Sequence, residues 1–81
     1  MEQQLRNSQK RVVGVRQVQR AIIGGRAATV FLCKDADDFI YRHVQMLCDE
    51  HQVSLQVIDS MQELGKLCMV GVQAATAALL K

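Results

Sequence analysis

The sequence predicts an α/β sandwich with helices on both sides of a small sheet, and three observations carry that prediction. Short runs rich in strand formers alternate with segments of helical period, in the order β-α-β-α-β-α-β. The 81 residues are 49% hydrophobic and 22% charged, the profile of one small soluble globular domain. Proline is absent and there are only one tyrosine and two phenylalanines, so the core must be aliphatic. A chain of this size buries only about 60% of its unfolded surface, which excludes a second domain or a deep two-lobed catalytic cleft. No apolar run approaches the roughly 18 residues of a membrane-spanning helix. The opening MEQQLRNSQKRVV lacks the apolar middle of a secretory signal peptide, so cytoplasmic residence is the expectation.

Residues 1–8 are polar and expected to fray, leaving one domain over 9–81. Residues 9–13 end in two β-branched side chains, which suits an edge strand, and Gly14 then breaks the pattern. In the stretch that follows, Val15, Val18 and Ile22 recur at helical steps, with Arg16, Gln17 and Arg20 on the opposite side. Gly24-Gly25 closes this helix as a C-cap pair. Residues 29–34 (TVFLCK) form a continuous apolar run, the mark of a strand covered on both faces. Asp35, Asp37 and Asp38 supply the cap and dipole-favourable charge for a helix over 38–51, whose apolar stripe is Ile40, Val44, Leu47 and Cys48. Residues 53–58 read as a second buried strand. Ser60-Met-Gln-Glu63 is a capping box opening a helix to about Cys68, with Leu64 and Leu67 inward. Residues 70–72 read as a loop. For 74–80, alanine propensity favours a helix while the alternation of elements favours a strand, and both stay open.

The candidate reactive groups resolve into structural ones. Cys33, Cys48 and Cys68 are odd in number, lie outside any metal-binding spacing and sit in apolar contexts, as reduced thiols used as small hydrophobes do. The aspartates fail the spacing of a calcium loop, so no metal is expected. His43 and His51 have no Ser, Cys or carboxylate arranged with them as a catalytic set. No catalytic residue and no cofactor are expected.

Charge is unevenly spread. Residues 1–26 carry six cations, five of them arginine, against Glu2 alone, while 27–81 carry four cations against seven anions. A domain polarised in this way presents a positive end to a polyanion. Gly14–Arg20 is the segment that focuses this charge. A glycine leading into a helix leaves backbone N–H groups open to a phosphate. Arg16, Arg20 and Gln17 can donate to guanine O6 and N7 and bracket a base edge. An A-form duplex hides its major groove, so such a tip requires RNA opened by a bend or bulge. From the residues alone, a solvated amphipathic helix and a nucleic-acid contact weigh about evenly.

Three stretches shift that balance: residues 13–22 (VGVRQVQRAI), 30–37 (VFLCKDAD) and 59–68 (DSMQELGKLC). Together they resemble, along nearly the whole chain, the L-seven-Ae family of ribosomal and kink-turn RNA-binding proteins, and most of all its short bacterial members. The resemblance implies a three-layer α-β-α sandwich with a four-stranded mixed sheet, and hence a strand over 74–80. It places the RNA-entering turn on Gly14 and Val15, and guanine contacts to tandem sheared G·A pairs on Arg16, Gln17 and Arg20. These three stand where archaeal and eukaryotic members have asparagine, glutamate and lysine, in keeping with the bacterial pattern. The loop that packs on a flipped-out base falls on Val70, Gly71 and Val72. It is altered here, with Met69, Gly71 and Gln73 replacing a glycine, a glutamate and a glycine of relatives. Lys34 lies near that loop in the family, within reach of a phosphate, and Lys10 belongs with the general phosphate contacts. The implied partner is structured RNA, either a kink-turn or ribosomal RNA within the ribosome, bound by a monomer away from any membrane. The alternative is a protein-interaction module whose arginine face meets an acidic partner.

Overall fold

Seven elements follow one another in the expected alternation: β1 (Arg11–Val13), α1 (Val15–Ile23), β2 (Ala27–Cys33), α2 (Asp38–His51), β3 (Ser54–Ile58), α3 (Met61–Cys68) and β4 (Thr76–Leu80). The structure, a computed structural model, describes residues 10–68 and 74–81. The expectations of a frayed 1–8 and a loop at 70–72 lie outside the described residues.

The four strands form one mixed sheet in the order β1-β4-β2-β3. β4 runs antiparallel to both neighbours, pairing Val12 with Ala78 on one side and Val30 with Ala78 on the other. β2 and β3 are parallel, with Phe31 opposite Gln56. The C-terminal segment is therefore a strand, as the family resemblance implied and alanine propensity did not. Burial supplies the reason. Thr76, Ala77, Ala78 and Leu79 are all buried, so both faces of this central strand are covered, and small side chains let the layers close over it. The Thr76 hydroxyl meets the requirement for a buried polar group by donating to the Phe31 carbonyl at 2.6 Å.

Strand alternation divides the core in two. Val30, Leu32 and Ala78 face α1 and α2, where they pack with Val18, Ala21, Ile22, Val44 and Cys48. Phe31, Cys33, Ala77 and Leu79 face α3 and meet Leu64 and Cys68. The two faces of β2 are filled as the sequence predicts. β3 departs from expectation: it is an edge strand, with Ser54 and Val57 (43%) exposed, Leu55 and Gln56 half-buried and Ile58 buried. An apolar run signals the strand but not its place in the sheet.

Helix ends follow the local chemistry. α1 closes in a Schellman motif, with the Arg26 N–H donating to the Ala21 carbonyl (2.9 Å) and the Gly25 N–H to that of Ile22 (3.1 Å). Gly25 takes the left-handed φ of +73° that this closure needs. Asp37 caps α2 by accepting from the Phe39 N–H at 2.9 Å. α3 has two acceptors at its start: the Ser60 hydroxyl for the Glu63 N–H (3.1 Å) and the Asp35 carboxylate for the Met61 N–H (2.8 Å). Ser60→Ala should lower stability by about 1 kcal/mol, read as the shift in a urea unfolding midpoint.

All three cysteines are free and buried. Burial, aided by Asp35, pushes the Cys33 thiol up to about 12. Burial and then Asp49 push Cys48 up to about 11, and burial raises Cys68 against the opposing pull of Arg11. Folded thiols thus hold protons that the unfolded chain releases near pH 9, so the stability they confer is full below that pH and falls as pH rises from about 9 toward 11–12. Alkylation at pH 8 should accordingly be slow on the native protein and fast in denaturant.

Candidate nucleic-acid interface

β1 and β2 are both antiparallel to β4, and β3 is parallel to β2. β1, β2 and β3 therefore all finish at one edge of the sheet, and α1, α2 and α3 all begin there. The carboxyl edge of such a sheet is where open α/β folds place ligands, and three helix N-termini give it three positive dipole ends.

Two of these ends are occupied by the protein's own carboxylates. α2 has Asp37 as its cap and Asp38 in its first turn; α3 has Asp35 on its first N–H and Glu63 in its first turn. α1 differs. Its N-cap is Gly14, no side chain caps it, and its first turn holds no acid. Gly14 has φ 99° and ψ 154°, a region that essentially only glycine occupies. Its N–H donates to the Thr76 carbonyl at 3.0 Å, which stitches the helix entry to the start of β4.

From this turn Arg16, Gln17 and Arg20 project, all exposed, while Val18, Ala21 and Ile22 on the opposite side are buried. Val15 is half-buried, so Ala21 takes the inward place expected of it. Arg16 and Arg20 stand one turn apart on the same side.

Other expected site residues divide between the two ends of the sheet. The Cys33 N–H donates to the Ala75 carbonyl (3.0 Å), so Lys34 emerges at the same edge as Gly14, about two strand spacings or 10 Å across. Its ammonium meets the Asp59 carboxylate at 3.3 Å, both groups being well exposed. Val70, Gly71 and Val72 lie outside the described residues. Lys10 is not with this group. It precedes β1 at the far end, about four residues or 13 Å down the strand from Gly14, where its carbonyl accepts from the Leu80 N–H (2.9 Å).

The sequence did not single out Arg11. It lies two residues before Val13, which packs on the α3 side, and its Nε is buried with no hydrogen-bond partner among the described residues. Its alternation with Val12 and Val13 was legible, but its neighbours were not.

The chain as a whole has counterparts among known proteins. Residues 1–81 match the model of the ribosomal protein L7Ae/L30e/S12e/Gadd45 family. The chain belongs to this family. An RNA-binding protein of Caldanaerobacter subterraneus subsp. tengcongensis is 39% identical over 69 residues, covering 85% of this chain and 84% of the relative. The RNA-binding protein YbxF of Geobacillus stearothermophilus is likewise 39% identical, over 72 residues that cover 89% of this chain and 88% of the relative. Among solved structures, the Giardia lamblia 15.5kD RNA binding protein superposes with a TM-score of 0.89 at 26% identity, covering 99% of this chain and 68% of that one. The family fold is the one described above.

Because a Cβ on Gly14 would meet nothing within 4 Å, Gly14→Ala isolates the cost of backbone conformation. The substitution should destabilise by about 1–3 kcal/mol in chemical denaturation, with no change in the packed core.

Proposed function

We propose that this protein is a non-catalytic RNA-binding protein that recognises and stabilises kink-turn RNA, a sharply bent stem built on tandem sheared G·A pairs. One observation carries the reading: the only helix start left without a side-chain or acidic cap among the described residues is the one that exposes Arg16, Gln17 and Arg20. Membership of the family supports it, as do relatives named RNA-binding proteins at 39% identity over most of their length.

In this reading the α1 tip enters a groove that the bend has widened. Arginine forks donate to guanine O6 and N7, Gln17 brackets the neighbouring base edge, and the backbone N–H groups at the helix start donate to a phosphate. Lys34 adds a cation at the same edge, and Val70, Gly71 and Val72 meet the extruded base. The RNA must be bent for these contacts to form, so the contacts supply the free energy of bending. Structured RNA in the cytoplasm, ribosomal RNA included, is the class of partner.

The test compares a kink-turn RNA with a straight duplex of equal charge over a range of salt. Log affinity should fall linearly with log salt for both, and the bent RNA should bind more tightly throughout. Arg16→Ala and Arg20→Ala should each cost about 1–3 kcal/mol on the bent RNA. Gln17→Ala should narrow the bent-to-straight ratio more than it weakens the duplex. Equal binding of bent and straight RNA overturns the proposal and favours the alternative, an arginine face that meets an acidic protein.

A further inference from the structure

The fold separates charge more completely than the sequence order does. Residues 10–26 and 76–81, which build β1, α1 and β4, carry Lys10, Arg11, Arg16, Arg20, Arg26 and Lys81 and no aspartate or glutamate. Residues 27–68 carry seven carboxylates against Lys34, Arg42 and Lys66. Five of those seven, Asp35, Asp37, Asp38, Asp59 and Glu63, surround the starts of α2 and α3. A polyanion seated on the α1 tip is repelled across that half of the edge. The outer face of α2, where exposed Phe39 (78%) and Met46 (62%) border a shallow hollow with Asp38, Arg42 and His43, begins among the same carboxylates.

The cationic direction runs the other way, along α1. Arg20 stands one turn beyond Arg16. At the far end of the sheet the fold then brings together three exposed cations that lie far apart in the chain. The Leu80 N–H donates to the Lys10 carbonyl (2.9 Å), and the Lys81 N–H donates to the Arg26 carbonyl (2.8 Å). Lys10, Arg26 and Lys81 are all exposed. Among the described residues the ion pair formed is Lys34–Asp59, so none of the three pairs with an acidic side chain of those residues.

We propose that Lys10, Arg26 and Lys81 form a second phosphate-binding pole, which grips the backbone of a duplex stem running from the bent RNA along α1. The inference rests on the kink-turn reading and extends its footprint. The nine residues of α1 span about 13 Å, and an A-form RNA duplex advances about 3 Å of axis per base pair, a little less than the roughly 3.4 Å of DNA. The pole therefore meets the stem about four base pairs from the tip, and a shorter stem does not reach it.

The experiment uses the full chain and kink-turn RNAs in which each stem in turn is set to about 3 or about 10 base pairs, bracketing that reach. Wild-type protein should bind one of the long-stem RNAs more tightly than the short form. The triple variant Lys10→Gln, Arg26→Gln, Lys81→Gln should lose that gain, and its salt slope on the long stem should drop by about 2–3, one for each phosphate contact removed. On short-stem RNA the variant should lose much less than on the long stem. The charge-keeping variant Lys10→Arg, Arg26→Lys, Lys81→Arg should retain the gain, which excludes loss of fold as the cause. No stem-length gain, or the same loss on long and short stems, overturns the pole. The kink-turn reading is judged separately, by wild-type binding to short-stem bent and straight RNA, where the pole plays little part.

Discussion

The insertion of β4, antiparallel, between β1 and β2 determines most of what else the molecule can do. Hydrogen bonds from both sides hold it, and its first residues lie opposite the ends of its neighbours: the Gly14 N–H reaches Thr76 and the Cys33 N–H reaches Ala75. Because β1 and β2 both run against β4, they finish at the same edge, and the helices that follow them start there together. The alanines make this arrangement possible. A larger residue at Ala77 or Ala78 would push α3 or α1 off the sheet, since each is fully buried against one layer. The tip of α1 is thus placed by a strand some sixty residues away in the sequence, through hydrogen bonds rather than by anything in α1 itself.

The same topology sorts the charge. Sequence order already separates a basic start from an acidic remainder, but it leaves Lys81 among the anions. Pairing of β4 with β1 carries Lys81 across to the basic half, where its N–H bonds to Arg26. The carboxylates that remain on the other half are not spread at random. Asp35 and Asp37 are committed to backbone donors at helix starts. Their structural task and their effect on a polyanion coincide: by neutralising two dipole ends they leave the third as the favourable place for phosphate.

What could be seen in the sequence was whatever short-range chemistry decides. The period of Val18 and Ile22, the double glycine, the Asp and Ser caps and the run of β2 each act within a few residues, and each element formed where those signals lie. Exposure of Arg16, Gln17 and Arg20 followed from helical geometry alone. Pairing could not be seen. β3 has the apolar run of a central strand yet occupies an edge, and Lys10 sits four residues from Gly14 in sequence but at the opposite end of the molecule. The strand over Thr76–Leu80 was legible only through its resemblance to relatives, because an alanine-rich segment satisfies a helix equally well until its neighbours are known. Distances between site residues depend on register, and register is a property of pairs of strands.

Local rules hold throughout α2 and α3 and fail at the start of α1. A residue such as Ser or Asp at position 14 would accept a backbone donor and stabilise the helix by about 0.5–2 kcal/mol, and an acid in the first turn would add to that. At position 14 that gain is offset, because a φ of 99° strains any residue with a side chain. The conformation is in turn imposed by the hydrogen bond that ties Gly14 to Thr76 while β1 turns into α1. The protein therefore carries a helix whose N-cap offers no side-chain hydrogen bond and whose first turn holds no acid to meet the dipole. Departures from local consistency concentrate where function lies, and here the departure and the exposed arginines fall together in a part of the described chain that holds no aspartate or glutamate. A phosphate at this start would satisfy the donors that Gly14 leaves open, and so complete the helix that the fold itself cannot cap.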